Sequence, residues 1–413
     1  MDIELRAIEE DERRQFVACN STAFGFVRTE EDLDRTWARS GLQVSRCLAG
    51  FDGAELVASA VSFPLDLTLP GLGLMKVSGI SWVGVRPTHR RRGILSAMMS
   101  RQLADADRAD EKLALLGVSE GGIYGRFGFG PATWTSHFEI VRRRAQVSLP
   151  PDSGGSLHLI DRAEAIDAFP LVHDRVRRSC PGEVSRLTPW WEAGMDGGDG
   201  PGQSSAGRFY LVHSDESGTI DGYAHYRIQR VDEDDTIPGV VMVDELCAEN
   251  QAASAALWAF LCDMDLTEKV VAPHRPTDDP VRWMLAHTRQ LRVTGGRDLT
   301  WARLLDVPGC LTQRHYRGEG SMVFDLVDPD RPENARVWRL EVGPDGARCD
   351  PAPPGTSADL VLGVSELGSV YLGGVSWSSL ARGGRIHEAH TGALARADVL
   401  FGWEPAPFCS TEF

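Results

Sequence analysis

Residues 80–95 read Ile-Ser-Trp-Val-Gly-Val-Arg-Pro-Thr-His-Arg-Arg-Arg-Gly-Ile-Leu, and this stretch decides the first part of the fold. The first six residues of this stretch belong to the run Val77–Val85, which alternates in polarity and is rich in β-branched residues. Both features are typical of a strand. From Ile94 to about Ala109, apolar side chains recur at helical spacing. The sequence therefore predicts a strand, an arginine-glycine turn and a helix in direct succession.

The turn carries the chemical signal of this stretch. At a helix start, backbone N–H groups and the helix dipole favour an anion such as a pyrophosphate. Gly93 permits close approach of the backbone, and the neighbouring arginines can neutralise phosphates. A solvated basic turn would explain the residues alone equally well, but the strand–turn–helix–strand setting favours phosphate binding.

Tyr124 follows a second predicted strand, Leu113–Val118, and the glycine-containing run Ser119-Glu120-Gly121-Gly122. A phenol with a pKa of about 10 is well matched to protonate a leaving thiolate. The alternative is an aromatic residue that packs beside Phe127 and Phe129. A pyrophosphate cradle, a strand edge for a pantetheine arm and an acid for a thiolate together predict acyl-CoA-dependent N-acyl transfer.

Such a reaction needs an oxyanion site and a base. Backbone N–H groups of Val83 and its strand neighbours are the expected donors to the oxyanion. His89 is a poor base among arginines, so the candidates are Glu120 or a carboxylate from another domain. Aromatic residues could form the wall of a substrate cleft or belong to the core: Phe24, Trp37 and Trp82.

The charge and composition of the chain limit the classes of partner that the protein is expected to bind. The 413 residues carry a formal charge of −16, which opposes nucleic acid and attracts amines, although solubility alone gives the same sign. The start of the chain shows no secretory signal, and no apolar run reaches the roughly 20 residues of a membrane span. We therefore expect a cytoplasmic protein without a membrane partner, and export by a signal-independent route stays open. The eight cysteines lack a C-x-x-C pair and are expected to be reduced, without a metal site.

Linkers and pattern changes predict three domains, at residues 1–148, 149–307 and 308–413. Proline and glycine in Leu149–Ser156 mark the first boundary, and the strand pattern changes after Leu304-Leu305-Asp306-Val307-Pro308. Within the middle segment, the strand Val240–Leu246 and the helix after it repeat the arrangement of the first segment. Glu249 lies in its turn in place of the basic run, so we expect a structural duplicate without pyrophosphate binding.

The runs Pro87–Gly93 and Ser119–Thr133 closely resemble the Eis (enhanced intracellular survival) family of N-acetyltransferases in the GNAT superfamily. Trp190-Trp191 and the terminal Phe413 extend the resemblance along the chain. It implies an α/β and α+β architecture with tandem GNAT domains, the second degenerate, and a C-terminal sterol carrier protein-like α+β domain. It also implies a homohexamer that acetylates amines of aminoglycosides or other polyamines from acetyl-CoA, without a metal.

The resemblance also assigns roles by motif. Tyr124 would be the general acid, and the C-terminal carboxylate of Phe413 the general base. The expected acetyl-CoA contacts are Val83, Val85, Arg90, Arg91, Gly93, Ile94 and Ser119. The expected substrate-cleft residues are Phe24, Trp37, Trp82 and Glu412.

Two departures from relatives imply a differently shaped cleft. Leu95 stands where many GNAT proteins have a small residue, and Gly117 where some relatives have histidine. An acetyltransferase for protein lysines or another small amine is therefore the nearest alternative. A non-catalytic scaffold that binds acyl-CoA or lipid is the second.

Overall fold

Three β-sheets flanked by helices organise the chain, in a computed structural model that describes residues 3–142, 145–148, 150, 154–195, 207–229 and 239–413. Two of the sheets have seven strands and the third has five. The predicted combination of α/β and α+β architecture is confirmed.

The first sheet has the strand order β1-β2-β3-β4-β5-β14-β6. Helices α1 (Arg13–Ala23) and α2 (Glu30–Ser40) cover one face, and α3 (Ile94–Arg108) covers the other. The strands are β1 (Glu4–Ala7), β2 (Cys47–Asp52), β3 (Glu55–Thr68), β4 (Leu74–Val85), β5 (Leu113–Gly117), β6 (Gly130–Pro131) and β14 (Thr300–Leu304).

The second sheet has the order β13-β7-β12-β11-β10-β9-β8. Its strands are β7 (Trp134–Val141), β8 (Ser156–Ile160), β9 (Arg208–Ser214), β10 (Ile220–Gln229), β11 (Gly239–Ala248), β12 (Thr267–Pro276) and β13 (Leu291–Asp298). Its helices are α4 (Arg162–Arg177), α5 (Thr188–Met195), α6 (Gln251–Cys262) and α7 (Val281–Met284). The predicted repeat is confirmed, because α6 connects the parallel pair β11 and β12 as α3 connects β4 and β5.

The two large sheets exchange strands, which the sequence did not reveal. Strand β7 pairs with β12 and β13 of the second sheet, although it precedes the predicted boundary at residue 148. Strand β14 returns in the opposite direction and pairs with β5 and β6 of the first sheet. A division of the chain into consecutive segments therefore does not separate the two sheets.

The third sheet has the order β17-β16-β15-β18-β19. Its strands are β15 (Gly320–Val327), β16 (Val337–Gly343), β17 (Gly346–Pro351), β18 (Leu360–Gly363) and β19 (His387–Glu388). Its helices are α8 (Val307–Gln313), α9 (Val364–Val370), α10 (Trp377–Arg382) and α11 (Ala393–Phe401).

Close contacts fix the third sheet and its helices to the first sheet. A Cβ added to Gly130 of β6 would lie 1.9 Å from the Ser365 carbonyl oxygen of α9. The Ser365 hydroxyl donates to the Phe129 carbonyl at 2.7 Å. Fully buried Arg303 of β14 forms two hydrogen bonds to Asp328, at 2.9 and 2.8 Å. These domains therefore share one packed interface, and their apolar residues form one continuous cluster.

Most predicted elements occur, with shifted ends. The sequence pattern also predicts a loop over residues 20–28, and this prediction is wrong over its first part, because α1 continues to Ala23. Several elements were not predicted, among them strands β12, β13, β14 and β17 and helix α11. The predicted linker at residues 149–156 lies partly outside the described residues. The sequence pattern also predicts a loop over residues 195–207 and a strand over 222–231, and most of the loop and the end of the strand lie outside the described residues as well.

Candidate active site

The first sheet opens between its two parallel strands. Strands β4 and β5 pair only where Ser78–Ile80 lies beside Ala114–Leu116. Strand β4 continues for five more residues to Val85, whereas β5 ends at Gly117. Beyond Ile80 the edge of β4 therefore faces a slot, and backbone groups there are free of the parallel ladder.

A bulge in β4 lies at this opening. Trp82 has a left-handed backbone with φ +54°, and the register with β3 shifts between Ser59 and Val61. The Trp82 carbonyl accepts hydrogen bonds from Asn20 Nδ2 at 2.8 Å and from Ser59 Oγ at 3.0 Å. Bulges of this kind re-aim backbone and side chains beside active sites. Asn20 and Ser59, which the sequence did not single out, hold the bulge that presents Val83.

The arginine-glycine turn precedes a helix start that has no side-chain cap. Arg91 and Gly93 both have positive φ, +62° and +80°. Gly93 is the N-cap of α3 without a side-chain hydrogen bond, and nothing lies within 4 Å of a Cβ placed on it. No N-cap side chain therefore occupies the first N–H groups of α3, and a helix start of this kind suits an anion.

The basic side chains of the turn have different partners. Arg90 donates from Nη2 to the Ala23 carbonyl at 2.7 Å and from Nε to the Val85 carbonyl at 3.2 Å. It therefore braces the turn against β4 and α1. His89 is buried, with Nε2 3.2 Å from an Asp52 carboxylate oxygen and Nδ1 2.8 Å from the Thr88 hydroxyl. These contacts make His89 a structural residue of the turn.

Tyr124 lies where the two strands separate. Its side chain is 6% exposed and belongs to the apolar cluster that contains Ile80 and Leu116. Burial, with a further contribution from Glu120, raises the pKa of the Tyr124 hydroxyl above its ordinary value. The phenol therefore stays protonated at neutral pH, as a general acid requires.

The end of the chain reaches the opposite face of the same strand. A Cβ placed on Gly79 would lie 3.2 and 3.3 Å from ring carbons of Phe413. Phe413 packs on the cluster that contains α1, together with Trp37 and Trp82. Because successive residues of a strand face opposite sides, Gly79 and Ile80 place Phe413 and Tyr124 on opposite faces beside the opening.

The remaining predicted residues spread over both sides. Phe24 is 48% exposed at the end of α1, and Trp82 stacks on Phe16 with ring centroids 6.4 Å apart. Glu412 points toward Arg297 of β13, with its carboxylate 3.3 Å from the guanidinium. The other predicted contact residues lie along β4, at the start of α3 and in the exposed loop after β5: Val83, Val85, Ile94 and Ser119.

The second sheet has an equivalent opening with different chemistry. Strands β11 and β12 pair only as far as Met242 and Val271, and a cavity of about 1070 Å³ lies beyond. Here Asn250 caps α6 by accepting from the Ala253 N–H at 2.9 Å. Glu249 accepts from Arg175 Nε at 2.6 Å. The helix start that α3 leaves open is therefore capped in the duplicate.

Family models match this architecture along the chain. An acetyltransferase (GNAT) domain model matches residues 4–132, and a second one matches residues 182–304. A sterol carrier protein domain model matches residues 307–410. The fold and the site thus define an N-acetyltransferase with two GNAT domains and a C-terminal sterol carrier protein-like domain.

Individual relatives narrow this class. N-acetyltransferase Eis of Mycobacterium tuberculosis is 34% identical over 362 residues, 84% of each chain. An uncharacterised N-acetyltransferase of Streptomyces coelicolor is 35% identical over 99% of each chain. The crystal structure of Eis1 from Mycobacterium abscessus superposes with a TM-score of 0.87 at 32% identity over the full length of both chains. The chain belongs to the Eis family of N-acetyltransferases.

No helix within the described residues is long and apolar enough to cross a membrane. Within the same ranges, no three His, Cys, Asp or Glu side chains are grouped so that they could hold a metal ion.

Proposed function

We propose that this acetyltransferase moves an acetyl group from acetyl-CoA to an amine of a polycationic small molecule, such as an aminoglycoside. The amine attacks directly in a ternary complex, without a covalent enzyme intermediate. The observation that carries the proposal is the opening in the first sheet, with Tyr124 beside it on one face and Phe413 on the other.

The open start of α3 supports acetyl-CoA as the donor. Its uncapped N–H groups and the positive-φ turn at Arg91 and Gly93 would receive the pyrophosphate. The edge of β4 from Val83 to Val85 would hold the pantetheine arm, and the Val83 N–H would face the oxyanion. Tyr124, which burial keeps protonated, would donate its proton to the departing thiolate.

The terminal carboxylate is proposed as the base. An α-carboxylate has a pKa of about 3.5 and is therefore a weak base that is ionised at neutral pH. It would take the proton of the attacking amine through a water molecule and would also attract a polycation. The formal charge of −16 favours encounter with such a substrate. We further propose a cytoplasmic homohexamer.

Release of CoA from acetyl-CoA tests the reaction. Wild type would be assayed with aminoglycosides, small polyamines and lysine peptides, beside Tyr124→Phe and a chain extended by two residues after Phe413. We expect turnover with a polyamine or aminoglycoside and a loss of about 10²-fold or more in both variants. Turnover only with lysine peptides would favour the protein-lysine alternative. Acetyl-CoA binding without turnover of any amine would overturn the proposed activity.

A further inference from the structure

The last residues of the chain run across the second GNAT domain before they reach the first. Phe408 N–H donates to the Pro181 carbonyl at 2.9 Å, and Ala406 N–H donates to Asp278 at 2.7 Å. Six residues between Pro405 and Glu412 line the cavity beside the opening of the second sheet. These last residues, 405–413, are called the tail below. The tail therefore lies on the side of the second domain where β11 and β12 separate.

The buried carboxylate of Glu183 accepts most of the hydrogen bonds that the tail donates. Glu183 is 4% exposed and accepts from Ser410 N at 2.6 Å, Thr411 N at 3.3 Å and Thr411 Oγ1 at 2.9 Å. The Cys409 thiol lies 3.6 Å from the same carboxylate. Three successive residues, ending two before the terminal carboxylate, are thus fixed by a single side chain.

The Arg186–Glu245 ion pair reinforces this hold. Arg186 binds both carboxylate oxygens of Glu245, at 3.0 and 2.9 Å. It also donates to the Ser410 hydroxyl at 3.1 Å and to the Thr411 hydroxyl at 3.3 Å. Glu245 lies on β11, just past the point where that strand leaves β12. The duplicate domain therefore uses its opening to bind the tail.

Glu183 is itself fixed to the first sheet. The Thr68 N–H donates to the Glu183 carbonyl at 2.9 Å, and the Gly182 N–H donates to the Thr68 carbonyl at 2.8 Å. Thr68 ends β3, which pairs along its length with β4. The carboxylate that holds Thr411 and the strand that contacts Phe413 are therefore parts of one hydrogen-bonded frame.

We propose that Glu183 is a positioning residue that sets the terminal carboxylate of Phe413 at the acceptor side of the active site. This role rests on the proposed function of that carboxylate as the base. The second GNAT domain then contributes to the reaction by holding the tail. Displacement of reacting groups by about 1 Å can cost a rate factor of about 10².

The test compares Glu183→Gln with Asp221→Asn. Glutamine keeps the size of Glu183 but turns an NH₂ group toward tail N–H donors, so the tail should loosen. Asp221 is an equally buried carboxylate of the second domain, bonded to His213 at 2.6 Å, and it holds no tail residue. Both changes weaken the same domain, whereas only the first reaches the tail.

We expect Glu183→Gln to lower kcat by about 10- to 100-fold with an unchanged Kd for acetyl-CoA. Carboxypeptidase should release Phe413 from this variant faster than from wild type. Asp221→Asn should change neither kcat nor the release rate, even if its Tm falls. Equal kcat losses in both variants, or unchanged kcat and release in Glu183→Gln, would overturn the positioning role.

Removal of Phe413 separates this proposal from the one on which it rests. If removal of Phe413 lowers kcat, Glu183→Gln should lower the remaining rate no further, because two changes that act through one group are not additive. A fully active shortened chain would refute the terminal base itself. An inactive shortened chain beside a fully active Glu183→Gln would refute only the role of Glu183.

Discussion

Gly79→Ala should disconnect the end of the chain from the active site. The added Cβ would lie 2.6 Å from Leu65 Cδ1 and 3.2 Å from the Phe413 ring. The leucine methyl must move, and the ring must shift by a few tenths of an ångström or leave its place. Overpacking of this kind costs about 1–3 kcal/mol. Because Phe413 is partly exposed and Leu65 is buried, movement of the Phe413 ring is the easier relief.

The assay measures kcat, the Kd of acetyl-CoA and the free energy of unfolding together. We expect kcat to fall about 10- to 100-fold with Kd unchanged, since Gly79 lies on the face opposite Tyr124. Gly343→Ala, in β16 of the third sheet, is the matched control, because nothing lies within 4 Å of its added Cβ. A Gly79→Ala enzyme with full kcat would refute the placement of Phe413. In Phe413→Ala, which already lacks the ring, Gly79→Ala should cost less than it does in wild type.

Four further predictions concern the bulge, the acid, the buried ion pairs and acid stability. Asn20→Ala removes a hydrogen-bond donor to the Trp82 carbonyl and should lower kcat several-fold. Thr22→Val, which loses only a hydrogen bond within α1, should leave kcat unchanged. The raised pKa of Tyr124, from an ordinary value of 10.0, predicts that kcat/KM shows no descending limb below pH 10, and a descending limb near pH 8 would contradict the acid role of Tyr124. Asp328→Ala should destabilise the fold by about 3–5 kcal/mol in urea unfolding, because it leaves Arg303 buried without its carboxylate, and Asp328→Asn should cost less. Burial alone would raise the pKa of Glu245, but Arg186 lowers it to about 2 from 4.5, so its stabilising contribution is complete above pH 4.5 and is lost as the pH falls toward 2. Glu245→Gln should flatten the pH dependence of unfolding in that window, and Asp265→Asn at an exposed position should not.

Local patterns predicted the parts of the fold that local physics determines. The strand–turn–helix from Val77 to Arg108 was found because alternation, a glycine and helical spacing follow one another directly. The repeated strand–helix unit at β11 and α6 was found for the same reason. The exchange of β7 and β14 was missed, because strand pairing between distant segments leaves no signal in a single strand's composition.

The candidate site, like the fold, could be predicted only in part from the sequence. Tyr124 and the residues of the turn stand in one contiguous motif and could be named from the sequence. Glu183 could not, since its partners Ser410 and Thr411 lie more than 200 positions away. Gly79 offered a weak signal, because a glycine inside a β-branched strand often marks the close approach of another group.

The central claim is that the charge at the end of the chain takes part in catalysis. A chain made by ligation with a C-terminal amide at Phe413 keeps the ring on Gly79 and the tail on Glu183, and it removes only that charge. With the best amine substrate and saturating acetyl-CoA, we predict a loss of about 10²-fold or more in kcat and an unchanged Kd for acetyl-CoA. An amidated enzyme that turns over at the wild-type rate would contradict the account, and the base would then have to be sought among other carboxylates, beginning with Glu120.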